Sequence, residues 1–152
     1  MPFSNGLLVV NSPRPCRALV VDDNAINRTI LNVVLSEAGA VVCEAEDGRQ
    51  ACEIFTDEPF DVVLMDIQMP VMDGHTAVRT IRALEAERGS DRVPIIMVSA
   101  FVGMQDIDLS MKAGADLHLG KPVRVASLLT AVGDALDGWP SSGRERQALY
   151  YP

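Results

Sequence analysis

Four short apolar runs constrain this chain more than any other feature. They are Ala18-Leu19-Val20-Val21, Asp61-Val62-Val63-Leu64-Met65, Pro94-Ile95-Ile96-Met97-Val98 and residues 115–119. A stretch with helical spacing separates each from the next. That alternation predicts parallel strands joined by crossover helices, an α/β domain with both sheet faces covered. In such a sheet, functional groups collect beyond the carboxyl ends of the strands. The residues found there are Asp22-Asp23, Asp66, Ser99 and Lys121.

Three carboxylates brought to one edge repel each other, which raises the cost of keeping all three ionised. A divalent cation relieves that cost, and Mg²⁺ suits carboxylate oxygens. Lys121 and Ser99 then offer a charge and a hydroxyl to an incoming anion. Metal, carboxylate, lysine and hydroxyl together describe a phosphoryl-transfer site.

Strands are expected over 16–21, 41–45, 61–65, 93–98 and 115–119. Helices are expected over 25–38, from 48 to before Pro59, and over 74–87, 104–112 and 125–136. Ile26, Ile30, Val33, Val34 and Leu35 recur at helical spacing. Asn24 or Asp23 can cap the first helix and Asp73 the third, while Gly39 suits the position after the first. Right-handed crossovers give one parallel sheet with helices on both sides. Residues 1–15, broken by Pro2, Gly6, Pro13 and Pro15, read as a leader with one short strand over 7–10. Residues 16–137 read as the compact domain, and 138–152 as a tail carrying Trp139, Tyr150 and Tyr151.

The 152 residues are 48% hydrophobic, enough for one core. A net charge of −8 and the absence of a basic run argue against nucleic acid as a partner. No apolar run nears the ~18 residues of a membrane span, and no signal-peptide pattern is present, so the chain reads as cytoplasmic. Cys16, Cys43 and Cys52 form no CxxC pair and read as reduced thiols, core or half-buried.

Five segments carry a resemblance to the receiver domain of two-component response regulators. They are Val20-Val21-Asp22-Asp23-Asn24, the stretch from Leu64 through Asp66-Ile67-Gln68-Met69-Pro70-Val71-Met72-Asp73-Gly74, Val98-Ser99-Ala100, Ala113-Gly114-Ala115-Asp116 and Lys121-Pro122. The resemblance spans residues 16–137 and implies a flavodoxin-like fold, (βα)5 with strand order 2-1-3-4-5. It implies that Asp66 is the phosphoacceptor, taking a phosphoryl group from a histidine kinase or histidine phosphotransfer protein. It implies Mg²⁺ on Asp22, Asp23, Asp66 and the backbone carbonyl of Gln68. Lys121, Ser99 and the backbone of Ala100 would meet the phosphoryl oxygens, and Lys121-Pro122 would be a cis peptide. Phosphorylation would switch binding of a downstream protein, with the chain a monomer or a phosphorylation-dependent dimer. The chain would be no enzyme beyond its own phosphorylation and dephosphorylation.

The sequence departs from that family at His118, where an aromatic is usual. Two readings follow: a half-exposed imidazole that merely fills the position, or an altered switch. Gln68 and Phe101 border the path of an attacking water, so Phe101 either slows hydrolysis or points away on its loop. His75 reads as a surface residue. A stand-alone receiver without output domain is the expected setting, the alternatives being a module of a hybrid histidine kinase or a non-phosphorylated pseudo-receiver. A haloacid-dehalogenase-type phosphatase needs Asp-x-Asp after the first strand, which the adjacent Asp22-Asp23 does not supply.

Overall fold

The computed structural model describes residues 14–138 and the backbone of two short strands before them. Those strands, β1 (Phe3–Ser4) and β2 (Leu7–Leu8), pair antiparallel. The strand expected over 7–10 is thus one arm of a hairpin, with residues 9 and 10 outside the described residues. Trp139, Tyr150 and Tyr151 also lie outside them.

The domain proper alternates without interruption. It runs β3 (Arg17–Val21), α1 (Ala25–Glu37), β4 (Val41–Ala45), α2 (Gly48–Asp57), β5 (Val62–Asp66) and α3 (Gly74–Arg88). It continues β6 (Ile95–Ser99), α4 (Met104–Ala113), β7 (Leu117–Gly120) and α5 (Val125–Asp137). The sheet is parallel, in the order β4-β3-β5-β6-β7. Counted from β3, that is 2-1-3-4-5, the expected flavodoxin-like arrangement.

Alternation along each strand divides the core in two. Val20, Val62, Leu64, Ile96, Val98, Leu117 and Leu119 pack with Leu35, Leu128 and Val132 of α1 and α5. Leu19, Val63, Met65, Ile95 and Met97 pack with Phe55, Val78 and Ile81 of α2 and α3. With both faces covered, the runs must be apolar at every position; each buried aliphatic side chain contributes about 1.5–3 kcal/mol.

Polar residues set the ends. Asn24 Oδ1 accepts from the Ile26 and Asn27 amides at 2.9 and 3.1 Å, so Asn24 rather than Asp23 caps α1. Asp47 and Asp73 cap α2 and α3 by accepting from the Gln50 and Thr76 amides, each at 2.8 Å. Gly39 follows α1 with φ 98°, a conformation open to glycine at little cost.

β3 and β5 start one residue later than expected, and β6 and β7 two residues later. Val93 N–H donates to Glu85 Oε2 at 2.6 Å instead of to the ladder, and Pro94 has no N–H, so β6 begins at Ile95. Asp116 turns the chain into β7: its N–H donates to the Ile95 carbonyl, and its Oδ2 accepts from the Ile95 amide, each at 2.9 Å. Among the described residues, no helix is long and apolar enough to cross a membrane.

Candidate functional site

Strand register assembles the site. Val21 pairs with Met65, which sets Asp22 level with Asp66. Asp66 pairs with Val98, which puts Ser99 one residue beyond. Ser99 pairs with Gly120, which puts Lys121 one residue beyond again. Residues spread over a hundred positions therefore meet at one sheet edge.

Asp22, Asp66 and Ser99 are buried there, and Asp23 is exposed. One carboxylate oxygen from each aspartate lies within 4.8 Å of the others. Lys121 Nζ reaches Asp22 Oδ2 at 3.2 Å and Asp66 Oδ1 at 3.4 Å. The Asn24 amide donates to Asp22 Oδ1 at 2.8 Å, and Arg28 donates to the Asp22 carbonyl at 2.8 Å. The Lys121-Pro122 peptide is cis. Beside Lys121, a groove of about 360 Å³ opens between α1 and the β7–α5 loop, lined by Asn27, Ile30, Leu31 and Val123.

The electrostatics are unbalanced. Burial raises the Asp66 pKa first, and the Asp22 charge raises it further; Lys121 only partly opposes them, so the group sits at about 6. For Lys121, burial works against its charge, but Asp66 and Asp22 outweigh it and raise its pKa. Three carboxylates thus share one ammonium, an arrangement that a further cation would complete. Mg²⁺ fits: it takes carboxylate oxygens, and two Mg–O bonds span about 4 Å.

The loop after Asp66 is held by close backbone approach. Gly74 donates to the Ile67 carbonyl at 2.8 Å, and a Cβ on Gly74 would lie 2.2 Å from the Asp66 carbonyl oxygen. Gly48 of α2 donates to the Met72 carbonyl at 3.2 Å. Between them Val71, exposed and β-branched, takes φ 70°, while the Met72 amide closes onto the Pro70 carbonyl at 2.7 Å. This is a strained tight turn. Gln68 is exposed on the same loop.

The other loop is organised by a group the sequence reading misplaced. His118 is fully buried, at 0% exposure, so the half-exposed reading is corrected. Its Nε2 lies 2.8 Å from the Phe101 carbonyl, and its Nδ1 lies 2.8 Å from Ser110 Oγ. His75 is half-buried rather than a plain surface residue, with Nε2 3.5 Å from Ser110 Oγ. The Phe101 amide donates to Ser99 Oγ at 3.0 Å. The Phe101 side chain is half exposed, and Ala100 beside it is exposed. The signal for His118 was present: it sits inside a strand whose neighbours Leu117 and Leu119 are apolar.

The cysteines take no part. Cys16 and Cys52 are buried and Cys43 is half-buried; burial pushes the Cys16 thiol up to about 12.

Comparison with known proteins finds the response regulator receiver domain over residues 18–133. The chain is 38% identical over 142 residues to the sensor protein GacS of Pseudomonas syringae, covering 91% of this chain and 16% of that protein's length. It is 43% identical over 111 residues to the two-component response regulator ORR41 of rice, covering 70% of this chain and 84% of that one. Among solved structures, it superposes on the receiver domain of sensor histidine kinase PA1611 from Pseudomonas aeruginosa with a TM-score of 0.74. That match is 34% identical and covers 82% of this chain and all of that one, which carries a magnesium ion in its active-site cleft.

Proposed function

This chain belongs to the response regulator receiver domain family, and from that premise we propose that Asp66 is its phosphoacceptor in a two-component phosphorelay. The observation that carries the reading is the buried Asp66 carboxylate set among Asp22, Asp23 and Lys121. The donor is a phosphohistidine on a histidine kinase or a histidine phosphotransfer protein. An Asp66 oxygen attacks phosphorus; the new O–P bond forms as the N–P bond breaks, and the imidazole nitrogen leaves with its electron pair. With a pKa of about 6, Asp66 is ionised at neutral pH and able to attack. Lys121 receives the charge of the phosphoryl oxygens, and Ser99 donates its hydroxyl to one of them. Asp22, Asp23, Asp66 and the Gln68 carbonyl would hold Mg²⁺, which supplies charge neutralisation at the transferred group.

The chain turns over no separate substrate, and its chemistry ends with return of the phosphoryl group to water or to a histidine. The exposed Ile26 and Ile30 near the start of α1, Ile30 lining the groove beside Asp22 and Lys121, suit docking of the donor's helices. Phosphorylation then changes affinity for a downstream protein.

Two settings fit this chemistry. Coverage of most of ORR41 favours an independent receiver, and the match to a small part of GacS favours a module of a hybrid kinase. The size of the protein detected in cells with an antibody to residues 16–137 decides between them. The test of the function is acetyl phosphate with Mg²⁺, read by intact mass. An adduct that needs Mg²⁺ and vanishes in Asp66→Ala is expected. An adduct retained by Asp66→Ala, or none with either acetyl phosphate or beryllofluoride, overturns the reading. Turnover of p-nitrophenyl phosphate would instead indicate a phosphatase.

A further inference from the structure

The hydrogen bonds around His118 fix more than its location. A carbonyl oxygen can only accept, so the 2.8 Å contact to Phe101 means that His118 Nε2 carries the proton. In a neutral imidazole, Nδ1 is then the acceptor, and the Ser110 hydroxyl donates to it at 2.8 Å. With its own proton committed, Ser110 Oγ accepts from His75 Nε2 at 3.5 Å, the longest link. On the other side, the Phe101 N–H occupies one lone pair of Ser99 Oγ at 3.0 Å. Directed bonds therefore run from His75 through Ser110 and His118 to the Phe101 carbonyl, and across the Phe101 Cα its N–H continues them to Ser99.

These bonds join the two loops that flank Asp66. His75 is the second residue of α3, next to Gly74, whose amide holds the loop after Asp66 at Ile67. Phe101 lies in the segment between β6 and α4, two residues beyond Ser99. Ser110 and His118 are both at 0% exposure, so water does not compete for these bonds. The Phe101 side chain is half exposed, which leaves its backbone N–H and carbonyl as the anchored part of this segment.

We propose that His118 is a positioning residue for the phosphoryl group. By donating to the Phe101 carbonyl, it holds the Phe101 backbone from the peptide unit after its Cα, so that the N–H of the unit before it engages Ser99 Oγ and leaves the Ser99 hydroxyl proton directed at the anion on Asp66. An apolar side chain of the same size fills the space and loses this control. The inference rests on Asp66 as the site of the phosphoryl group, and it assigns to His118 a hydrogen-bonding role that packing alone would not need.

The experiment compares the full chain with His118→Leu, which removes the donor, and His118→Gln, which keeps an N–H within reach of the Phe101 carbonyl. Each is titrated with beryllofluoride in excess Mg²⁺, with Mg²⁺ affinity measured separately as the check that the acidic edge is folded. His118→Leu is expected to bind beryllofluoride at least tenfold more weakly at Mg²⁺ affinity within twofold of the parent, and His118→Gln to recover most of the loss. The imidazole ¹⁵N spectrum of the parent is expected to report the Nε2–H tautomer and to shift when beryllofluoride binds. Equal beryllofluoride affinity in His118→Leu, no recovery in His118→Gln, or an imidazole signal indifferent to the anion overturns the inference. Should His118→Leu fail to fold, His118→Gln and the ¹⁵N spectrum still decide it. A parent chain that binds no beryllofluoride at all removes the phosphoacceptor reading itself, an outcome separate from the others.

Discussion

Two charge clusters, each built on buried carboxylates, sit at opposite ends of the same sheet, and they are built in opposite ways. At the amino end of β6, Asp116 Oδ2 accepts from Arg82 at 2.7 Å and its Oδ1 from Arg92 at 2.9 Å. Arg82 also donates to Glu85 at 2.8 Å and to the carbonyls of Gly114 and Val93 at 2.8 Å each, while Glu85 accepts the Val93 amide. Two carboxylates face two guanidinium groups, and backbone donors and acceptors take up remaining valences. At the carboxyl end, three carboxylates face one ammonium. The first cluster is closed and can only hold the fold together. The second is left short of positive charge, and that shortage is what a metal ion and a phosphoryl group can use.

The largest effect expected from this contrast comes from breaking the closed cluster. Asp116→Ala leaves two guanidinium groups facing each other and the Ile95 amide without its carboxylate partner. Urea unfolding is expected to show a loss of about 3–5 kcal/mol. The folded fraction should still take a phosphoryl group from acetyl phosphate, because no atom of the carboxyl edge is touched. A loss below 1 kcal/mol, on the scale of an exposed pair, would mean that the cluster is not the structural element described.

The same class of change at the open cluster should act in the reverse direction. Asp66→Asn keeps the shape and removes a charge that burial and Asp22 both oppose. The metal-free variant is expected to be more stable than the parent at pH 7, by up to about 3 kcal/mol for a shift of roughly two pKa units. Destabilisation would show that Lys121 already compensates Asp66 in full. A gain in stability from disabling a site is what a functional strain predicts.

Mg²⁺ separates the clusters a third way. At a hundredfold excess over its Kd, it should stabilise the parent by about 2.7 kcal/mol. Asp116→Ala should show the same increment from its lower starting point. Asp66→Asn should show a much smaller one, having lost a ligand.

The sequence revealed the open cluster and concealed the closed one for a physical reason. Asp22, Asp66 and Ser99 each end or directly follow a run that is buried on both faces, so the pattern that marks the strands also marks the edge. Arg82, Glu85, Arg92 and Asp116 lie on a helix and in loops where charged residues are ordinary. Their meeting depends on how α3 packs against the start of β6, which no local spacing encodes. The late starts of β6 and β7 follow from the same cluster, since Glu85 and Asp116 take the Val93 and Ile95 amides. His118 falls between these cases. Its place in a run between Leu117 and Leu119 implied burial, but its partner Ser110 comes from the packing of α4, and polar side chains are more often read as exposed.

pH gives the smallest and sharpest comparison, because the two buried groups it touches push in opposite senses. Burial lowers the His118 pKa most; the Phe101 carbonyl and Asp106 oppose it without reversing it, and His75 adds to it. The unfolded chain therefore binds a proton near 6.5, before folded His118 does, so stability falls as pH drops below that value. Asp66 does the reverse in the metal-free chain. Its folded pKa of about 6 lies above the ordinary carboxylate value of 3.8, so the folded state takes the proton first, and stability rises as pH falls through that window. The parent should show the difference of the two slopes, each no steeper than about 1.4 kcal/mol per pH unit. Asp66→Asn removes the compensating slope, so its unfolding free energy, followed from pH 7.5 down to about 4.5 without metal, should fall more steeply than the parent's. Excess Mg²⁺ should steepen the parent in the same way, since the metal holds Asp66 ionised and a proton must then displace it. Parallel pH profiles for the parent and Asp66→Asn would show that Asp66 titrates as an ordinary carboxylate. The open cluster would then be as well compensated as the closed one.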